Sequence, residues 1–277
     1  MADQSPKGNV LSASEQEEAA TSRSEAPRSD AAQSWLAHDW FAMTPSSAGW
    51  TTNRFLASMD VHGMARWLPH LRVLNLPAGY VLVKAHEKPH YVYFPTTSIV
   101  SLVHVEENGS TVEVAVTGRE GFVGVPVVTG GDVMPYQALM QISGQVWQLP
   151  AELLRTEVAC AGPVLRQLLL FVQALLTQIS QTAVCNRQHS LDQHLCRWLL
   201  LMFDRLEDQQ LSMTQETIST MLGVRRETVT EAAGALQAAG LIRYARGRID
   251  LMDRRGLEAR ACECHAIVAQ EYRRLLR

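Results

Sequence analysis

The sequence lacks the features that mark a membrane-spanning, exported or strongly charged protein. Its longest uninterrupted apolar runs, such as 198–203, have about six residues, whereas a membrane helix needs about 20. The net charge is −3 and the pI about 6.3, so any basic surface must be local. The N-terminus has neither a basic start nor an apolar core, and the five cysteines show no framework spacing. These absences predict a cytoplasmic protein with reduced thiols and no membrane partner.

Motifs that are typical of enzymes and cofactor sites are also missing. There is no G-x-x-x-x-G-K-[ST] phosphate loop, no G-x-S-x-G elbow, no H-E-x-x-H motif and no dinucleotide fingerprint after a strand. Cys185 and His189 are four residues apart, but nothing around them indicates a catalytic pocket. On a predicted helix, Cys262 and Cys264 would point about 200° apart, and His265 would diverge from Cys264. We therefore expect no enzyme, no catalytic residue, no metal site and no cofactor.

The composition of the first 50 residues predicts a disordered acidic tail. Residues 1–34 contain seven Ser, seven Ala and no aromatic residue, too little apolar surface to offset chain entropy. Residues 1–50 carry a net charge of about −4. Four aromatic residues then cluster, either as an amphipathic arm or as the frayed start of a domain: Trp35, Trp40, Phe41 and Trp50.

Residues 51–160 are expected to form the first folded domain. Helical spacing over 54–70, ending near Pro69, precedes short runs rich in β-branched and aromatic residues between about 71 and 149. Turn signals separate these runs, and the strongest is Asn108-Gly109 between two strand-like segments. The pattern predicts a β-sandwich or barrel.

The period becomes helical after Pro150. One long helix is predicted from Pro163 to about Asn186, with apolar residues three and four apart. Its pattern is typical of a spine between domains, of a coiled-coil-like dimer seam, or of an ordinary buried core helix. Asp192 is expected to begin a second helix that runs to about Leu206.

The stretch 215–232 satisfies the spacing of a helix-turn-helix. That motif needs apolar contacts between two helices, a small residue where they touch, and a turn residue with positive φ. Gly223 supplies the turn, Ser219 the small position and Thr214 a natural N-cap. The apolar positions hold Ile218, Leu222, Val224, Val229 and Ala232. An αα-hairpin without a DNA role is the alternative.

The start of the second helix and a following hairpin have the chemistry of a DNA contact. In the major groove Arg can bond bidentately to guanine, and Glu can accept from cytosine N4. Two short strands, about 241–244 and 248–251, form a wing whose arginines suit phosphate contacts. The residues assigned to DNA binding are Thr214, Arg225, Arg226, Glu227, Thr228, Thr230, Arg243, Arg246 and Arg248.

A β-roll, a long helix and a winged helix carrying Arg226-Glu227-Thr228-Val229 resemble the Crp/Fnr family of bacterial transcription regulators. The resemblance covers about residues 53–260. It implies an α+β protein with a β-roll or jelly-roll sensor domain (51–160), a dimerisation helix (161–187) and a winged helix-turn-helix domain (188–277). It also implies a homodimer, palindromic double-stranded DNA, a small-molecule effector and RNA polymerase as partners. Arg226 and Glu227 fall on the family's base-reading positions, while Glu231 replaces a second arginine of the cyclic-AMP receptor.

The sensor domain departs from the family's cyclic-nucleotide binders. Those members hold the phosphate with a Gly-Glu pair and an Arg-Ser pair, and here Val125 follows Gly124 and the second region, 134–136, has no cation. Without a buried Arg, a cyclic phosphate would lose its charge-assisted hydrogen bonds, so cyclic AMP is not expected in the usual mode. No Cys precedes Cys160, which argues against an N-terminal iron–sulfur cluster, and no haem-attachment motif exists. The effector-pocket residues are Arg119, Glu120, Gly124, Gln181 and Thr182, with surface-turn or core roles as the alternative.

Two other functions remain open at this point. The β-roll could be an inert scaffold, which would make the protein an effector-independent DNA binder. Alternatively, the protein could be a small-molecule-binding module that acts through protein partners.

Overall fold

The computed structural model describes residues 49–107 and 109–276. The aromatic residues Trp35, Trp40 and Phe41, and the turn residue Asn108, lie outside the described residues, so the predictions for them stay predictions. Trp50 belongs to a 3-10 helix, Gly49–Thr52, and packs against the core, so the predicted tail extends slightly too far.

Two short α-helices follow this 3-10 helix where one helix over 54–70 was predicted. They are α1 (Arg54–Ala57) and α2 (Val61–Trp67), followed by a 3-10 turn, Leu68–His70. The Asp60 side chain accepts a hydrogen bond from the Gly63 N–H at 2.6 Å, so it caps a new helix. The prediction of one helix was wrong because the apolar spacing continues through this cap.

In the described part of the region 72–150, seven antiparallel strands form two sheets, which agrees with the predicted β-sandwich or barrel. One sheet has the order β1-β7-β3 and the other β2-β6-β4-β5. The strands are β1 (Arg72–Leu76), β2 (Val81–Val83), β3 (Tyr91–Pro95), β4 (Ile99–Val105), β5 (Thr111–Thr117), β6 (Gln137–Ile142) and β7 (Gly144–Pro150). Gly109, with φ of 84°, lies between β4 and β5, which fits the predicted hairpin.

Helices flank the roll and lead out of it. They are α3 (Val125–Thr129), α4 (Ala151–Ala159), the long α5 (Pro163–Gln188) and α6 (Leu191–Phe203). Helix α6 begins at a Ser190 capping box rather than at the predicted Asp192. Phe171 of α5 packs on Phe122 of the roll at 4.8 Å between ring centroids, so the first half of α5 is part of the roll core.

The remaining chain is a winged helix. Its elements are β8 (Gln210–Ser212), α7 (Gln215–Leu222), α8 (Arg226–Ala238), β9 (Ile242–Ala245), β10 (Arg248–Leu251), α9 (Arg254–Arg260) and α10 (Glu263–Leu275). The sheet order is β8-β10-β9. The sequence predicted the hairpin within one residue but missed β8, which is only three residues long.

Helix α5 is long and apolar enough, by length and composition, to cross a membrane. The criterion of uninterrupted apolar runs overlooked it because Gln and Thr residues divide its apolar sequence. One side packs on the roll through Leu168, Phe171 and Leu175, while Leu169 and Leu176 are 48% and 54% exposed. Helix α5 therefore has apolar side chains on two sides, one packed in the core and one at the surface of the chain.

Candidate nucleic-acid interface

The two helices α7 and α8 meet as the sequence predicted. The Thr214 hydroxyl accepts a hydrogen bond from the Thr217 N–H at 3.1 Å and caps α7. Gly223 adopts φ of 66° in the turn, a conformation that favours glycine. Ile218, Leu222 and Val229 are buried in the core of the winged-helix half. These contacts fix α8 on α7 and leave the start of α8 at the surface.

The N-terminal end of α8 presents a row of exposed polar side chains. Arg225, Arg226, Glu227 and Thr228 are all exposed. The nearest anion to Arg226 is Glu216, at 3.9 Å between Nε and Oε2, and both side chains are well exposed. An exposed pair at this distance is weak, so the guanidinium is available to a ligand. The positive end of the helix dipole adds to the attraction for phosphate.

An open groove of about 800 Å³ separates α8 from the wing. The Thr230 hydroxyl lies in it and donates to Gln215 Oε1 at 2.8 Å, or to the Arg226 carbonyl at 3.0 Å. Thr230 is thus partly engaged within the helix pair. The groove is lined by Thr214, Gln215, Glu216, Arg226, Thr230, Ala233, Gly234, Gln237, Tyr244, Arg246 and Gly247.

Asp250 divides the wing arginines into two kinds. It accepts from Arg243 at 2.9 Å and from Arg248 at 3.1 Å. The Arg243 hydrogen bonds, then those of Gln210 and Arg248, lower the pKa of Asp250 to about 2. Arg246 lies in the turn with φ of 52° and has no ion pair among the described residues. Among the three wing arginines, Arg246 is therefore the one whose charge is not paired with Asp250.

Three of the residues predicted for an effector pocket, Arg119, Glu120 and Thr182, are bonded to other side chains of the protein. Glu120 is buried and accepts from Arg205 Nε at 2.8 Å, so interpreting it as an exposed surface turn is wrong. Arg119 pairs with the exposed Glu207 at 3.1 Å. Arg205 and Glu207 both belong to the segment 204–209, which follows α6. The loop that carries Arg119 and Glu120 therefore faces the winged-helix half.

The last three predicted pocket residues along the chain lie at the start of α3 and on α5. Gly124, with φ of 121°, starts α3, and Gln181 is half-buried on α5. Thr182 is buried, and its hydroxyl accepts from Arg197 Nη1 at 3.2 Å. That hydroxyl also lies 3.0 Å from the Gln178 carbonyl, to which it donates. Thr182 therefore joins α5 to α6.

Sequence reasoning missed the buried acid Glu113. Its carboxylate accepts from Trp198 Nε1 at 2.8 Å and from the Ser101 hydroxyl, which joins the roll to α6. Burial raises the pKa of Glu113 to about 7, against the opposing effect of these hydrogen bonds and of the Arg197 and Arg205 charges. Alternation along β5 could have marked position 113 as inward-facing, but not as bonded to α6.

The expectation that Cys262 and Cys264 diverge is wrong. Cys262 has ψ of 164° and is the N-cap of α10, so it lies just outside the helix that was expected to contain it. Both thiols turn toward the end of α5, where they meet Cys185 and His189. His265 points elsewhere, with Nε2 at 2.8 Å from Asp204 Oδ2.

Comparison with known proteins agrees with the two halves of the fold. A cyclic nucleotide-binding domain matches residues 73–159, and a Crp-like helix-turn-helix domain matches residues 193–260. No curated protein matches the sequence.

Solved structures share the architecture at low sequence identity. FixK2 from Bradyrhizobium japonicum is 19% identical with a TM-score of 0.62, over 69% of this chain and 98% of that one. The c-di-GMP-responsive regulator CLP from Xanthomonas campestris is 17% identical with a TM-score of 0.57, over 70% and 100%. A regulator from Thermus thermophilus is 24% identical with a TM-score of 0.53, over 68% and 97%. With a cyclic nucleotide-binding domain joined to a Crp-like helix-turn-helix, the chain belongs to the Crp/Fnr family of DNA-binding transcription regulators.

Proposed function

We propose that the protein regulates transcription in the cytoplasm as a homodimer that reads a two-fold symmetric DNA site with Arg226 and Glu227. The observation that carries this proposal is the exposed Arg-Glu pair at the start of α8, beside the groove that the wing borders. An N-terminal helix end of this kind fits the major groove, where Arg226 would bond guanine and Glu227 cytosine. RNA polymerase is the expected protein partner.

The surface of α5 supports the dimer. Its outer residues are four and three apart and mostly apolar, which is the spacing of a coiled-coil seam. They are Leu165, Leu169, Val172, Leu176, Ile179 and Ala183, and all are half-buried or exposed in the single chain. A second copy of α5 would cover this stripe. Two recognition helices would then enter successive major grooves about 34 Å apart.

The wing would contact the phosphates around the bases that α8 reads. Arg246 is free of an ion pair within the described chain and can bind a phosphate directly. Arg243 and Arg248 must first break their ion pairs with Asp250 before they can bind a phosphate. Arg225 and Thr228, exposed beside the Arg-Glu pair, would add contacts to the backbone or to flanking bases.

The effector response is proposed to differ from that of cyclic-AMP receptors. Val125 replaces the acidic residue after Gly124, and Arg119, the cation of that loop, is held by Glu207. The engagement of Glu120 by Arg205 also favours a structural role for this loop. A protein that binds DNA without an added effector fits these contacts best.

Selection from random duplex DNA by ligand-free protein tests the proposal. We expect enrichment of a two-fold symmetric site whose half-sites contain a G·C pair that depends on Arg226. Arg226→Ala should lose that preference, while Arg72→Ala, which removes an exposed arginine from β1, should keep it. Enrichment of no sequence by folded dimer would overturn effector-independent binding, and enrichment of single half-sites would overturn the dimer.

A further inference from the structure

Four side chains with metal-binding chemistry converge where α5 ends and α10 begins. Cys185 lies in the last turn of α5, and His189 directly follows that helix. Cys262 caps α10, and Cys264 lies in its first turn. One ligand atom from each residue lies within 4.8 Å of all the others. None of the four lines the groove beside α8, and the cluster plays no part in the proposed DNA contact.

Two of the six separations among the ligand atoms are close to the edges of a tetrahedral zinc site. Cys185 Sγ lies 3.5 Å from Cys262 Sγ, and Cys264 Sγ lies 3.6 Å from His189 Nδ1. With Zn–S bonds of about 2.3 Å and a Zn–N bond of about 2.0–2.1 Å, tetrahedral edges are about 3.8 Å for S···S and about 3.6 Å for S···N. The other four separations are at most 4.8 Å, so the ligand atoms would have to move together by no more than about 1 Å to bind an ion.

The histidine is oriented as a metal ligand would be. Its Nδ1 faces Cys264, while its Nε2 lies 3.4 Å from Glu263 Oε1. A carboxylate on the second ring nitrogen is the usual support for a zinc-bound imidazole, because it fixes the tautomer and the ring plane. Glu263 is largely exposed, so it can be changed without disturbing the core.

A buried cation beside the cluster balances the charge of such a site. Three thiolates and one Zn²⁺ would have a net charge of −1. Burial raises the pKa of Cys185 to about 11 and that of Cys264 to about 12, against the opposing effect of the Arg197 guanidinium, so metal binding must release protons. Arg197 is 2% exposed, and its Nε has no hydrogen-bond partner within the described part of the chain.

We propose that Cys185, His189, Cys262 and Cys264 form a Cys₃His site for Zn²⁺ that joins the end of α5 to α10. Three thiolates and one imidazole are the ligands of a closed structural zinc site. A Cys185–Cys262 disulfide would use only two of the four groups and would leave the orientation of His189 without a purpose. The ion would hold the last helix of the winged-helix half to the proposed dimer helix.

Metal binding by the full-length protein tests this site directly. Protein purified anaerobically under reducing conditions, loaded with zinc and desalted, should retain one Zn²⁺ per chain by elemental analysis. Co²⁺ should give tetrahedral ligand-field bands and a thiolate-to-cobalt charge-transfer band, and X-ray absorption on the zinc form should count three sulfur neighbours. Failure to retain zinc, or a cobalt spectrum without thiolate bands, would overturn the proposal. A native Cys185–Cys262 disulfide with no bound metal would do the same.

Variants locate the site and provide matched controls. Cys264→Ser and His189→Asn should weaken zinc binding by more than about tenfold, and Glu263→Gln by about tenfold because only the support of His189 is lost. Cys160→Ser, at an exposed cysteine, and Cys196→Ser, at a buried one outside the cluster, should leave the affinity unchanged. Equal losses in the control and ligand variants would refute the assignment. Because removal of a buried thiol can impair folding, the wild-type cobalt spectrum and the exposed Glu263 variant provide independent tests.

Discussion

The surface proposed to face DNA and the junction between the two halves use the same residue types in opposite ways. On α8, Arg226 is 63% exposed and its nearest acid is 3.9 Å away. At the junction, Arg205 is 5% exposed and bonds Glu120 at 2.8 Å. Exposed charges are available to an incoming ligand, whereas buried paired charges hold one arrangement of the chain. Charge alone therefore does not indicate function. Replacing an arginine by alanine should reduce stability at the junction and DNA binding on α8.

Removal of the buried arginine should have the largest effect. Arg205 Nη2 also donates to Gln178 Oε1 at 2.7 Å, and the guanidinium lies 5.4 Å from the centre of the Tyr272 ring. Arg205→Ala would leave Glu120 buried without its partner and should lower the free energy of unfolding by about 3–5 kcal/mol. Urea denaturation measures this loss. A loss below about 1 kcal/mol is the range of an exposed ion pair. Such a result would show that the buried pair at the junction contributes no more to stability than a surface pair does.

The buried carboxyl at the same junction should make stability depend on pH. Because the pKa of Glu113 is raised to about 7 in the folded state from 4.5, the folded state binds more protons than the unfolded state between these values. Stability is therefore expected to fall as pH rises through that window and then to level, with a cost of about 3 kcal/mol.

Glu113→Gln should remove this dependence while keeping the shape of the side chain. Unfolding curves at about pH 5 and about pH 8 would compare the two proteins, with the variant gaining on the wild type at the higher pH. Parallel pH profiles would show that Glu113 ionises normally in the folded protein.

At the proposed DNA surface, the expected loss appears in binding and not in folding. Arg226→Ala should cost about 1–3 kcal/mol on the preferred site and relax the preference at one base pair. The unfolding midpoint should change little because the side chain is exposed. Fluorescence anisotropy on the selected and a scrambled duplex separates the two effects, and equal losses on both would contradict base reading.

The two regions also differ in how far the sequence could predict them. Thr214, Gly223 and Arg226 lie within one short stretch of the chain, so their spacing in the sequence indicates the geometry. Glu120 and Arg205, like Glu113 and Trp198, are 85 positions apart, and no local pattern records such a pair.

The cysteine cluster escaped prediction for a second reason. Cys262 was expected to lie within a helix, where its side chain would point away from that of Cys264. It is instead the N-cap, and its extended backbone lets the two thiols point to the same place. Helix boundaries are the least precise part of a sequence-based prediction, and a shift of one or two residues decides the direction of this side chain.

The smallest expected effect lies in the wing. There Asp250 forms ion pairs with Arg243 and Arg248, so two arginines of the proposed DNA surface are paired, as Arg205 is at the junction. Arg246→Ala should weaken all DNA sequences alike and reduce the slope of log affinity against log salt by about 1, since one phosphate contact is lost. Arg248→Ala should change the slope less, because this guanidinium is bonded to Asp250 at 3.1 Å in the free protein. Asp250→Asn should release both of its arginines and steepen the slope. Equal slopes for the two alanine variants would show that DNA displaces Asp250 without cost, and the wing would then carry three equivalent phosphate contacts.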